Sequence, residues 1–150
     1  MAGKYLCLLV HFVWSTAHRE PRISPTWNDR LYGYIGGVVN NKNGKLICAG
    51  GIEDHLHLLV SLPSTVDIAE MVNAMKANSS RWIHETFADQ QAFAWQKGYG
   101  AFSVSKSGEQ SVINYIGDQQ EHHRTRDFKQ EFLGLLRKHE IEYDERYLWE

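Results

Sequence analysis

An α+β fold, an antiparallel sheet with helices, is predicted by three features of the sequence. β-rich runs and segments of helical periodicity follow one another in the order β-α-β-β-α-β-α-α. The 150 residues are 43% hydrophobic, with five Trp, seven Tyr and six Phe, enough to bury a sizeable core without disulfide or metal staples. No linker, repeat or low-complexity tract interrupts the chain, so one domain over residues 1–150 is expected. The first six elements match the split β-α-β (ferredoxin-like) pattern, and a further C-terminal helix carries a tyrosine, Tyr115.

Each element has its own signal. Tyr5 to Trp14 is nearly all apolar, as a strand buried on both faces requires. After the polar loop Ser15 to Ser24, Ser24-Pro25 reads as an N-cap with proline at the first helical position. Trp27, Leu31, Tyr34, Ile35 and Val38 keep helical spacing to about Val39, and Asn43-Gly44 makes a tight turn. Lys45 to Glu53 is a second strand, where Gly50-Gly51 suggests a bulge or a close backbone approach. His55 to Leu62 alternates: Leu56, Leu58, Val60 and Leu62 face one side, His55, His57, Leu59 and Ser61 the other.

Pro63 ends that strand, and Ser64 to Asp67 resembles a capping box. It precedes a long helix marked by Ile68, Met71, Val72, Met75, Trp82 and Ile83. A fourth strand is expected around Ala101–Val104. Ser107 and Gln110 form another capping box, opening a helix through about His123. A last helix, from about Asp127 to His139, buries Phe128, Phe132, Leu135 and Leu136.

Charge excludes little. The net charge of -2 gives no basic excess of the kind that announces a duplex binder. Residues 1–106 carry ten Lys/Arg against eight Asp/Glu and residues 107–150 six against ten, so a basic surface on the first two thirds is permitted. Cys7 and Cys48 lie in apolar runs and read as buried structural thiols in a reducing compartment. No run approaches the roughly 18 to 20 apolar residues of a membrane span, and the N-terminal stretch lacks a leader cleavage pattern. A cytoplasmic location is expected.

The chemistry centres on two motifs. In His55-Leu56-His57 both imidazoles project from one strand face at a spacing that can grip one metal ion, or they are the polar face of a half-buried strand. Tyr115, Gln119 and His122 stand at i, i+4 and i+7, a helical stripe anchored by Val112, Ile113 and Ile116. Alone it is a polar helix edge. With the histidine pair it supplies a phenol nucleophile one turn from an amide oxygen able to act as third ligand, with positions left open for substrate. Spacing by itself does not bring strand and helix together.

The chain resembles the single-tyrosine HUH transposases, the insertion-sequence TnpA family, including the REP-associated tyrosine transposases. The resemblance is carried by Gly51-Ile-Glu-Asp-His-Leu-His-Leu-Leu-Val60, Gln96-Lys-Gly-Tyr-Gly-Ala-Phe-Ser-Val-Ser105, Tyr115-Ile116 with Gln119 and His122-His123, and Phe12-Val-Trp-Ser-Thr16 followed by Arg19. It covers nearly the whole chain in order. Asp118 departs from it, at a position where relatives often carry Asn.

The resemblance implies that Tyr115 attacks a phosphodiester in single-stranded DNA, forming a 5′-phosphotyrosine and freeing a 3′-OH. It implies a divalent ion, Mg²⁺ or Mn²⁺, held by His55, His57 and Gln119 against the scissile phosphate. It also implies a homodimer, often with the tyrosine helix completing the partner's histidine pair, and recognition of DNA hairpins near element ends. Candidate DNA contacts are Arg19, Arg22, Lys76, Arg81 and Lys97, although such a residue taken alone is more often a solvated surface charge. His11 reads as a satisfied core histidine, and Trp14, Trp27 and Trp82 as core. His122 and His123 either orient the site or solvate their helix. Glu140 to Glu150 packs on the domain or on a partner. The competing functions are a domesticated hairpin-DNA nickase and a non-catalytic nucleic-acid-binding module on the same sheet.

Overall fold

The computed structural model of the protein describes residues 3–150, so the first two residues of the stretch read for a leader lie outside it. Its strands are β1 (Leu9–Ser15), β2 (Lys45–Ile52), β3 (His55–Ser61) and β4 (Gly100–Val104), ordered β2-β3-β1-β4. Every neighbouring pair is antiparallel. Helices α1 (Asn28–Asn41) and α2 (Ile68–Thr86) make the two crossovers of the split β-α-β pattern, as the element order predicts.

Side-chain alternation divides the sheet into two faces. Phe12, Trp14, Leu56, Leu58 and Val60 pack against Leu31, Ile35 and Val39 of α1 and Met71 and Met75 of α2. Trp14 and Trp27 are buried as expected, whereas Trp82 sits half-exposed at the margin, stacked on Tyr34. The opposite face is covered too, by the helices that follow the six split β-α-β elements. There α3 (Glu109–Gly117) sets Ile116 on Leu9 and Leu59, and α5 (Phe128–Lys138) sets Phe128, Phe132 and Leu136 on Val13 and Phe102. Burying each of those α5 side chains is worth about 1.5–3 kcal/mol, which explains why the helix does not stand off in solvent.

Several boundaries differ from the sequence reading. β1 starts at Leu9 because its partners end at Ser61 and Val104, leaving Tyr5, Leu6 and Leu8 exposed. Cys7 is therefore exposed and Cys48 half-buried, so the expectation of two buried thiols fails. Ser24 caps a turn rather than α1, accepting from the Thr26 amide, and the helix begins at Asn28. Asp67, not Ser64, caps α2 by accepting from the Glu70 amide. Ser105, not Ser107, caps the 3₁₀ turn ahead of α3 by accepting from the Gly108 amide. The helix expected to reach His123 breaks at Asp118, and a separate short helix, α4 (Gln119–His122), follows.

The C-terminal stretch packs on its own chain. α6 (Glu145–Leu148) leads Trp149 onto Phe128 and Phe132, and the Glu150 carbonyl accepts from the Gly98 amide. Gly50 marks a close approach, while the register shift in β2 lies between Leu46 and Cys48. A Cβ at Gly50 would stand 2.3 Å from the Ile116 carbonyl oxygen, so the missing side chain is what lets α3 lie against β2. Gly50→Ala is expected to push α3 outward and to cost about 1–3 kcal/mol in urea unfolding; an unchanged midpoint would contradict that packing.

Candidate active site

His55 and His57 lie on the same face of β3, both fully buried, because residues two apart on a strand share a face. Their outer nitrogens are held first. His55 Nδ1 lies 2.7 Å from Asp54 Oδ1, and His57 Nδ1 lies 2.8 Å from His11 Nε2. Those partners turn both Nε2 atoms toward a common space. His11 is thus a satisfied buried histidine, as expected, but the group that satisfies it belongs to the histidine pair.

Three further side chains meet there. Gln119 Oε1, at the first position of α4, lies 3.0 Å from His55 Nε2. Glu131 Oε1, from α5, lies 3.3 Å from His55 Nε2 and 3.0 Å from His57 Nε2. His123 Nε2 reaches both oxygens at 3.1 Å. The break at Asp118 is what turns Gln119 and His123 inward together. His122 stacks on the Tyr115 ring, with centroids 4.6 Å apart, so neither histidine merely solvates the helix.

The other oxygen of Glu131, Oε2, accepts from the Tyr115 hydroxyl. One buried carboxylate therefore joins the histidine pair to the phenol. Arg126 Nη2 donates to the same hydroxyl at 3.4 Å. The strand and the tyrosine helix that meet here belong to a single chain.

The donor set fits a divalent cation. His55, His57 and Glu131 offer ligand atoms within 4.8 Å of one another, all buried, and Gln119 adds an amide oxygen beside them. Two imidazoles with a carboxylate and an amide oxygen form a donor set for a divalent metal ion.

Protonation follows from burial and contacts. Burial lowers His57 to about 4, with Glu131 opposing, and lowers His11 to about 3. Burial also works against charge on His55, but its bonds to Asp54 and Glu131 outweigh that and raise it to about 9. For Glu131 burial pushes upward, yet hydrogen bonds from His123, His55 and His57 hold the carboxyl far below its usual range. Tyr115 is raised above the ordinary phenol value by burial and by Glu131, while Arg126 pulls the other way.

The expected DNA contacts divide. Lys76 spends its ammonium on the carbonyls of Gln96, Lys97 and Gly98 at 2.8, 3.2 and 2.6 Å, which leaves no donor for a phosphate and corrects its reading as a DNA contact. Arg22 pairs with Glu20, and Arg81 bonds Asn78 on α2, across the sheet from Tyr115. Arg19 lies over Trp149 and shares a small cleft with Asp54 and Lys129, and Lys97 is exposed. Arg126 beside Tyr115 and Lys138 farther along the same cleft are cations that the sequence reading did not single out. Glu131 was missed as well, although a signal existed: it is a carboxylate at an apolar-stripe position between Phe128 and Phe132.

The family model described as "Transposase IS200 like" matches residues 4–119. A candidate transposase from Deinococcus radiodurans R1 superposes with a TM-score of 0.66 at 22% identity, covering 79% of this chain and 95% of that one. A REP-associated tyrosine transposase, in a structure bound to a REP hairpin, superposes with a TM-score of 0.60 at 15% identity, covering 82% of this chain and 73% of that one. At those identities the two likenesses establish the fold. A search of curated proteins found no match. Among the described residues no helix is long and apolar enough to cross a membrane.

The shifts set a pH dependence for metal-free protein. His57 and His11 stay neutral in the fold while unfolded histidine protonates below about pH 6.5, so their effect removes stability as pH falls from that value. The depressed Glu131 contributes above the unfolded carboxyl value and loses that contribution on further acidification. The raised His55 contributes fully below about pH 6.5 and loses it as pH rises through about 9. Thermal midpoints in EDTA should therefore peak near neutrality and decline on both sides; a flat profile from acid to alkaline pH would contradict the assigned protonation states.

Proposed function

The chain belongs to the IS200-like transposase family, and from that premise we propose that it cuts and rejoins single-stranded DNA at hairpin-flanked ends with Tyr115 as its nucleophile. The observation that carries this reading is the meeting of the Tyr115 hydroxyl, His55 Nε2 and His57 Nε2 on the single carboxylate of Glu131. A phenol on a polar helix edge would have no reason to point into a buried two-histidine cluster.

In the reaction the Tyr115 oxygen–phosphorus bond forms as the phosphorus–O3′ bond breaks. The phenolic proton is lost, the departing 3′-oxygen gains one, and the 5′-phosphate stays esterified to the tyrosine. Because one ester replaces another, a 3′-OH from another strand can reverse the step without ATP. Tyr115 is a neutral phenol in the resting fold, so attack requires its proton to leave. Glu131 Oε2 accepts the hydroxyl hydrogen and orients it, while Arg126 favours the tyrosinate.

His55, His57 and Gln119, joined by Glu131, would hold a divalent ion, Mg²⁺ or Mn²⁺. When bound, such an ion neutralises the phosphate and polarises it toward attack. Asp54 and His11 hold the two rings with both Nε2 atoms turned toward their common space. His55 must give up its proton for that, so occupancy will weaken as pH falls. The proposed partners are hairpin-bearing single-stranded DNA and a second copy of the chain.

The test uses hairpin oligonucleotides from the DNA flanking the gene, with Mg²⁺ or Mn²⁺, resolved on a denaturing gel. Wild type is expected to give an SDS-stable protein–DNA adduct that EDTA prevents and Tyr115→Phe abolishes. Cleavage persisting in Tyr115→Phe would assign the reaction to water and remove the tyrosine from its role. Binding without cleavage in wild type would instead favour a module without chemistry. Removing one metal ligand, in His57→Ala, should lower adduct formation by at least about tenfold.

A further inference from the structure

We propose that the cleft beside Tyr115 is a nucleotide pocket, holding the residue of single-stranded DNA immediately 3′ of the scissile phosphate. This rests on the reading of Tyr115 as nucleophile. The cleft has a volume of about 580 Å³ and lies between β4, α3 and the second half of α5. That volume falls within the range of roughly 300–1,000 Å³ typical of small-ligand sites.

Its walls suit a nucleotide. Ser103, Ser111 and Gly134 keep them low, and a Cβ at Gly134 would find no atom closer than 3.9 Å, so packing does not require the glycine. At one side the His139 ring stacks on Phe102, with centroids 4.5 Å apart and planes 29° from parallel. The pair offers an aromatic edge to a base. Arg126 stands at the tyrosine end and Lys138 farther along α5. Both are exposed, and neither pairs with a carboxylate among the described residues. Glu131 also borders the cleft, but its oxygens are engaged by the histidines and Tyr115.

In-line attack decides which nucleotide enters. The leaving O3′ must lie across phosphorus from the Tyr115 oxygen, so the upstream nucleotide projects away from the tyrosine. The downstream nucleotide leaves phosphorus to one side of the attack axis and stays tethered to the tyrosine through its 5′-phosphate, so it needs room beside Tyr115, which lines this cleft. Much of the wall comes from α5, beyond the residues 4–119 that match the family model. The pocket is thus built jointly, by β4 and α3 inside that match and by α5 outside it.

The probes are 5′-phosphorylated deoxydinucleotides with each of the four bases first, titrated into ¹⁵N-labelled protein, an assay that needs no cleavage. Shifts are expected at Ser103, Ser111, Gly134 and Lys138. Affinity should fall about tenfold in Ser111→Trp, which fills the cleft, and in Lys138→Glu, which reverses its charge. Ser103→Trp fills the cleft from the opposite wall, and thermal melts establish which variants fold. Absence of shifts at these residues, or unchanged binding in folded variants, overturns the proposal.

Its failure is separable from that of the tyrosine reading. Tyr115→Phe should lose the covalent adduct yet still bind the dinucleotides. Dinucleotide binding with no adduct in wild type supports the pocket and removes the tyrosine chemistry. Adduct formation with KM unchanged in Ser111→Trp and Ser103→Trp overturns the pocket alone.

Discussion

A carboxylate with no solvent exposure, on Glu131, is the constraint around which the second face of this sheet is organised. Burying such a charge without partners is prohibitive, so its oxygens must be met by donors from several elements. They are met by His55 and His57 of β3, His123 after α4, and Tyr115 of α3. Each contact ties α5 to a different part of the chain, and removing one partner from such a pair typically costs about 3–5 kcal/mol. The apolar side chains of α5 supply the adhesion. Glu131 supplies the register, because only one rotation of that helix aims it at the histidines.

The remaining geometry follows from two periodicities and one interruption. Period two on β3 puts both imidazoles on the face away from α1 and α2. Antiparallel pairing then sets Val13 opposite His57 and His11 opposite Leu59, so that His11 reaches the back of the His57 ring. Period 3.6 on α3 turns Ile116 into the sheet and Tyr115 toward the cluster. A continuous helix would have kept Gln119 and His122 in one stripe with Tyr115. The break at Asp118 instead gives Gln119 and His123 to the cluster and leaves His122 stacked on the tyrosine.

Most elements were legible from local chemistry. The alternation of His55 to Ser61, the proline after β3 and the helical spacing of Met71 and Met75 placed strands and helices within a few residues. Boundaries failed where competing cap residues sit close together. Ser64 and Asp67 both suit an N-cap, as do Ser105 and Ser107, and the choice depends on where the incoming chain is anchored. Cys7 failed for a different reason: an apolar run continues as strand only as far as its neighbours extend to pair with it. Lys76 read as an available cation because a sequence does not reveal that three carbonyls of a distant loop converge on its ammonium.

By itself the sequence determined the split β-α-β order, the shared face of His55 and His57, and the helical setting of Tyr115 beside Ile116. These are consequences of spacing along one element, where the backbone repeat dictates direction. Only the tertiary structure decided that Tyr115 and Gln119 both reach the histidine cluster, across the break at Asp118. It also decided that α3 and α5 cover the second face, and that Glu131 stands between imidazoles and phenol. Those contacts join residues 16 to 76 positions apart, and no local periodicity encodes them. They arise because one buried carboxylate and a stripe of phenylalanines can be satisfied together in a single docking of α5.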